Sequence, residues 1–323
     1  MLISTKEADK FRIGLAVNAG PSLGFGHAVR CLRIARAFKG EAAIYPISEV
    51  CRRFFESFGL ESDTRDWKSG KLPPVMITDL REAHPVTREI HNQGSTHVSI
   101  HDMGLAQCAS QVAIDGSVAH VVPYASHPDQ ATFLGPRYMI TRPVARVGAA
   151  HISNTVLVTV GGGASADFAS RIAVQLQPLG IRVITTNGFG SNPRNTPTPD
   201  SEIEHAMATC RFAISAAGTT LYDLLASGVP TIAVAVDRMQ LRTAEEFQQS
   251  GATVSAGLLD RLSSGELLDR CRELLGNESM VLKMVSIGRD LVDGKGLSRV
   301  VDIVGNPGKE IWKLHQTQTS THC

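Results

Sequence analysis

The chain has 323 residues, enough for two domains of ordinary size, and 43% hydrophobic against 20% charged residues supplies apolar material for two packed cores. Thirty-two Lys and Arg face 31 Asp and Glu, a formal charge of +1, so no basic excess exists to track a nucleic-acid backbone or an anionic membrane, and any anion must be caught locally. Aromatic residues are only 5% while glycines number 29, which turns attention from stacking platforms to loops whose backbone amides do the recognition.

The first ten residues carry Lys6, Glu7, Asp9 and Lys10 and no apolar stretch of signal-peptide length, and no run long enough for a transmembrane segment follows. From Arg12 the apolar pattern predicts strands at 13–17, 42–47, 75–78 and 98–100, alternating with amphipathic helices at 28–38, 50–58 and 85–93. A stretch with Pro143, Gly148 and small residues at 142–153 reads as an interdomain linker. The rhythm then restarts, with strands at 155–160, 183–186, 212–215 and 231–236 and helices at 168–176, 203–209, 221–226 and 243–249. Residues 188–200, rich in Asn, Pro and Thr, read as one mobile loop, and periodicity is lost after Pro307. Continuous β-branched runs between helices imply parallel strands covered on both faces, hence an α/β chain of two doubly wound, Rossmann-like halves at 1–145 and 146–306, with a disordered tail at 307–323. A ligand is then expected in the crevice where the two halves meet. Cys31, Cys51, Cys108, Cys210, Cys271 and Cys323 are widely separated and form no Cys-x-x-Cys pair, as in a cytoplasmic protein with reduced thiols.

Three glycine-rich loops each follow a strand and open a helix, where free amides attract phosphate or a developing oxyanion. The first runs from Asn18 through Gly20, Gly24 and Gly26 to His27. As a dinucleotide fingerprint it fails, because Val29 stands where the third glycine belongs. Gly20-Pro21-Ser22-Leu23-Gly24 matches the G-x-S-x-G pattern literally, but the loop around Ser22 is too long for a nucleophile elbow. A plain glycine-rich turn with His27 as a polar helix-start residue is the alternative. The second loop is Gly161-Gly162-Gly163-Ala164-Ser165, suited to a diphosphate; the following strand ends at Thr186-Asn187 without the acid that NAD requires. The third holds Gly218, Thr219 and Thr220 before a helix carrying Asp223, which could accept from ribose hydroxyls; helix capping by Thr219 or Thr220 is the competing reading. Asp79 and His101-Asp102 end strands at the carboxyl edge, where each could serve a site or form a turn. His84, His91, His97 and His120 are expected to face solvent or satisfy local hydrogen bonds. No Asp-x-Asp, His-x-x-x-His or Walker lysine occurs, so no metal, ATP or other cofactor site is expected.

Taken together, Gly24-Phe25-Gly26-His27-Ala28-Val29-Arg30-Cys31, Leu134-Gly135-Pro136-Arg137-Tyr138, the triple glycine at Gly161, the run from Ser215 through Asp223 to Pro230, and Asp293-Gly294-Lys295-Gly296-Leu297-Ser298-Arg299 carry a resemblance. The sequence resembles the nucleotide-sugar hydrolases of pseudaminic acid biosynthesis and the related spore-coat polysaccharide proteins, which share the two-domain GT-B fold of MurG-type glycosyltransferases. The resemblance implies that water displaces UDP at the anomeric carbon of a UDP-sugar, with His27 as the base that activates or positions the water; a neutral imidazole suits that task. It also implies that the loops at Gly161–Gly163 and Gly218 hold UDP and that Asp223, in place of the usual Glu, reaches the ribose. Gly24, Gly26, Arg30, Asp79, Asp102, Thr219, Thr220 and Gln240 complete the expected substrate contacts. Where the family commonly has Arg-x-Asp, Asp-x-Tyr, Asp-Asp and Asn-Gln, this chain has Ala16-Val17-Asn18, Asp79-Leu80-Arg81, His101-Asp102 and Met239-Gln240. Two other functions fit the same pattern: a glycosyltransferase in which a sugar or lipid hydroxyl replaces water, with Phe54, Phe55, Phe58, Arg52 and Arg53 as its acceptor patch, and a nucleotide-sugar-binding protein that has lost the chemistry.

Overall fold

The computed structural model describes residues 11–20, 23–68, 70–81, 83–103, 109–119, 129–147, 153–159, 168–186 and 200–311. The chain forms two compact units, Met1–Ile140 together with Gly296–Cys323, and Thr141–Lys295.

In the first unit the elements run β1 (Ile13–Val17), α1 (Gly26–Ala37), β2 (Ala42–Pro46), α2 (Glu49–Glu56), β3 (Val75–Asp79), α3 (Pro85–Asn92), β4 (Thr96–His101), β5 (Val112–Asp115) and β6 (Ala131–Leu134). The six strands are parallel, in the order β2-β1-β3-β4-β5-β6. The chain winds outward from β1 in one direction to β2 and in the other to β3, so the carboxyl ends of β1 and β3 flank the topological switch point, where sheets of this kind bind ligands. Val17 and Asp79 are register partners at that edge, and Asp79 in turn is opposite Ile100.

The second unit follows with β7 (Thr155–Thr159), α4 (Phe168–Leu176), β8 (Arg182–Thr186), α5 (Asp200–Thr209), β9 (Phe212–Ala216), α6 (Thr219–Ser227), β10 (Thr231–Ala235), α7 (Arg238–Ser250), β11 (Val254–Leu258), α8 (Ser264–Gly276) and α9 (Glu278–Leu291). Its parallel sheet has the order β11-β10-β9-β7-β8, with the switch point at β7 and β9. Alternate residues of β7 enter different cores: Val156 and Val158 pack with Phe212 and Ile214's side of the sheet, and Leu157 with Met207 and Leu224. A two-residue period with both faces buried is why the strands read as unbroken apolar runs. Among the described residues no helix is long and apolar enough to cross a membrane.

All of the expected strands and helices form, with ends shifted by a few residues. Strands β5, β6 and β11 and the helices after Ser250 were not anticipated; β5 and β6 have four residues each, too few to show a period. The domain limits differ at two places. The expected boundary at 145 falls at Ile140, because the start of the linker is tied to the second unit: Arg142 N–H donates to Asp223 Oδ1 at 2.7 Å and Val144 N–H to Ser227 Oγ at 2.9 Å. The last helix, α10 (Gly296–Gly305), belongs to the first unit rather than the second. There a Cβ on Gly296 would fall 1.9 Å from the Met139 carbonyl oxygen, and Arg299 Nη1 donates to the Arg137 carbonyl at 2.7 Å. Residues 307–311 of the expected tail are helical, while 312–323, like the loop at 187–199, lie outside the described residues.

Candidate active site

Helix α1 buries one stripe comprising Ala28, Cys31, Leu32, Ile34 and Ala35, and the same stripe, continued into its first turn, carries His27 and Arg30. Spacing of three puts those two side chains one above the other. They face the end of β3, where Asp79 is wholly buried. Gly24 holds the turn that leads into α1: its φ of +79° favours glycine, and its N–H donates to the Gly20 carbonyl at 2.7 Å. That bond ties Gly24 back to Gly20; Ser22 lies outside the described residues.

His27 Nδ1 is 2.6 Å from Asp79 Oδ1. Arg30 donates to both oxygens of Asp79 and, through Nη1 at 2.6 Å, to Asp102 Oδ1. Burial opposes the charge on Asp79, but the Arg30 guanidinium and the His27 ring overcome it and hold the carboxyl well below the usual carboxylate range. The same balance, again led by burial against Arg30, lowers Asp102. Arg30 stays charged despite burial because two carboxylates face it.

An ionised Asp79 can only accept, so at 2.6 Å it favours the ring proton on Nδ1 and a lone pair on Nε2, against the pull of Arg30 Nη2, which lies 2.9 Å from the same nitrogen. Asp102 Oδ2 is 3.5 Å from Nε2, and Arg81 Nε donates to Nε2 at 3.3 Å. The Asp102 side chain is 28% exposed against 7% for His27 and none for Asp79, so Asp102 is the more open of the two carboxylates. Around His27 the guanidiniums of Arg30 and Arg81 stand with the carboxylates of Asp79 and Asp102, so these four charges cancel. Asp102 is itself fixed, since the next residue, Met103, takes φ +57° and donates its N–H to Ser117 Oγ at 2.9 Å.

In the second unit Gly218 is the N-cap of α6 and neither it nor Thr219 or Thr220 caps the helix with a side chain. Thr219 is exposed and Thr220 half-buried in the first turn. From the first turn of α7, Gln240 brings Nε2 to 3.7 Å from the position a Cβ on Gly218 would occupy, while its Oε1 accepts from Val236 N–H at 3.4 Å. Uncapped amides and an amide donor thus converge beside β9, at this sheet's switch point. Asp223 has one carboxylate oxygen committed to Arg142 N–H. Gly161, Gly162 and Gly163 lie outside the described residues.

No protein-family model matches the chain. The spore coat polysaccharide biosynthesis protein SpsG of Bacillus subtilis (strain 168) is 33% identical over 329 residues, an alignment covering 90% of this chain and 97% of that protein. The chain belongs to the SpsG family. A second relative, the pseudaminic acid cytidylyltransferase and UDP-2,4-diacetamido-2,4,6-trideoxy-beta-L-altropyranose hydrolase of Helicobacter pylori (strain ATCC 700392 / 26695), is 27% identical over 120 residues, 36% of this chain and 22% of that protein. Among solved structures, MurG of Acinetobacter baumannii superposes with a TM-score of 0.65 at 14% identity, covering 91% of this chain and 99% of that one. The SpsG-family chain therefore has the GT-B glycosyltransferase fold.

Within this SpsG-family fold four of the expected residues, His27, Arg30, Asp79 and Asp102, form one hydrogen-bonded cluster. Arg30 and Asp79, expected as substrate contacts, are buried, and their described polar contacts are with each other and with His27 and Asp102. Phe54 and Phe55, the heart of the acceptor patch, are buried, Phe54 stacking on Phe25 at 5.6 Å between centroids. His84 caps α3 and His97 is buried against Thr78 and His91; His120 lies outside the described residues. Arg81 is the site residue whose contact sequence reasoning missed. Its signal was its place two residues beyond the strand-end Asp79, at the same end of the strand.

Proposed function

We propose that the chain hydrolyses a UDP-sugar, as a step in surface-polysaccharide or nonulosonic acid biosynthesis. The observation that carries this reading is the buried Asp79 pinning Nδ1–H of His27, which leaves Nε2 basic at the switch point of the first sheet. His27 Nε2 takes a proton from water as the water oxygen bonds to the anomeric carbon; the bond from that carbon to the β-phosphate oxygen breaks, and its electron pair leaves with UDP. Asp79 and Asp102 stabilise the imidazolium so formed. The second unit contributes the α6 amides at Thr219 and Thr220 with Gln240 toward the diphosphate, joined in this reading by the loop at Gly161–Gly163. Asp223 meets the ribose, directly or across a water.

The test is UDP release from a panel of UDP-amino-sugars with the native protein and with His27→Ala. A loss of about 10²–10⁴-fold in kcat is expected for the variant. Equal rates would remove His27 from the chemistry. Turnover that begins only when a sugar or lipid acceptor is added would make the protein a glycosyltransferase using the same base. Tight UDP binding without turnover across the panel would make it a binding protein.

A further inference from the structure

Arg81 follows β3 and is exposed, yet its one described contact is with the lone pair of a buried imidazole: Nε donates to His27 Nε2 at 3.3 Å. Arg30, by contrast, lies between two carboxylates, and neither Asp79 nor Asp102 has a described ion pair with Arg81. A guanidinium bonded to an uncharged nitrogen at that length makes one of the weaker contacts open to it, whereas an anionic oxygen offers a charge-assisted and often bidentate one. The same contact blocks the chemistry, because Nε2 cannot accept a proton from water while a cation donates into its lone pair.

We propose that Arg81 is a displaceable cap on the base, drawn off His27 Nε2 by an anionic oxygen of the substrate, so that the imidazole becomes basic only when that anion is in place. The anion is a phosphate oxygen of the nucleotide or a carboxylate on the sugar. Arg81 is then a positioning and specificity-determining residue for the hydrolysis argued above, on which this inference rests. The exposed, long side chain can swing without disturbing the Asp79–His27 pair, since Nδ1 is held independently.

The test reads the imidazole directly and needs no turnover. In protein labelled with ¹⁵N histidine, the His27 Nε2 resonance is assigned by its loss in His27→Gln. It is then followed on adding UDP, a UDP-hexose with a neutral sugar, or a UDP-hexuronate. The cap predicts that Arg81→Met moves the Nε2 resonance to the value the native protein reaches with the responsive probe. It also predicts that the probe's Kd rises at least about tenfold in the variant and is partly restored in Arg81→Lys. A response to UDP alone assigns the phosphate; a response confined to the UDP-hexuronate assigns a sugar carboxylate. An unchanged Nε2 resonance in Arg81→Met, or no response to any probe in the native protein, overturns the cap. A responding Nε2 in a protein that releases no UDP would leave the cap standing and remove the hydrolase reading; UDP release with a silent Nε2 would do the reverse.

Discussion

A carboxylate without solvent exposure, ringed by a guanidinium and an imidazole N–H, cannot exchange partners cheaply, and this is what sets the tautomer of His27. Replacing Asp79 by Asn puts an amide opposite Nδ1 that can donate as well as accept. With the amide donating, the ring proton moves to Nε2 and the outward lone pair is lost. Asp79→Asn is therefore expected to lower kcat by about 10²–10⁴-fold with KM little changed, measured as UDP release under saturating substrate. A far-ultraviolet spectrum and melt of the same variant check the fold, since Arg30 keeps Asp102 as a partner. A KM effect alone would place Asp79 in binding rather than in orienting the base.

At the scale of the element, α10 shows how a single missing side chain decides which unit a helix joins. Gly296 has no room for a Cβ beside the Met139 backbone, whereas Gly305 at the other end of the helix has nothing within 4 Å of that position. Gly296→Ala is expected to destabilise by about 1–3 kcal/mol, because the backbone of α10 must lift off. Gly305→Ala in the same helix is expected to be neutral or stabilising by up to about 1 kcal/mol through the unfolded chain. Urea unfolding of the two variants, compared at equal m-value, measures the difference; equal midpoints would show that α10 is not held at Gly296. Helix α8, missed by periodicity, does carry a readable start signal: Ser263 and Glu266 form a reciprocal capping box.

For the whole molecule, buried titratable groups set the response to acid. Burial, aided by the neighbouring His91, holds His97 down to about 4, so the folded protein keeps it neutral while the unfolded chain protonates it near 6.5. Protons then favour the unfolded state, and stability is lost as pH falls from about 6.5 to about 4, by at most about 3 kcal/mol. Asp79 adds a second stage: its folded carboxyl titrates below the unfolded value, so its contribution is intact above about pH 4 and is lost below that. Thermal melts in steps from pH 7 to pH 3 should show both stages, and His97→Gln should shrink the upper one alone, the remainder coming from His101, which burial also holds below the usual imidazole range. A single transition below pH 4 in the native protein would show that His97 is hydrated in solution.

Most of the strands and helices, the two doubly wound halves and the glycine-rich turns at Gly24 and Gly218 were legible in the amino-acid sequence. They depend on local period and on backbone sterics, which a linear pattern carries. His27 and Asp79 were legible as residues at the ends of elements, but not as a pair: they are 52 positions apart, and only the parallel register of β1 with β3 and the packing of α1 on that sheet join them. The same holds for Arg30 and Asp102, 72 positions apart, and for the return of α10 to the first unit. Those pairings arise from which strand lies beside which, a property of the folded sheet that no window of neighbouring residues contains.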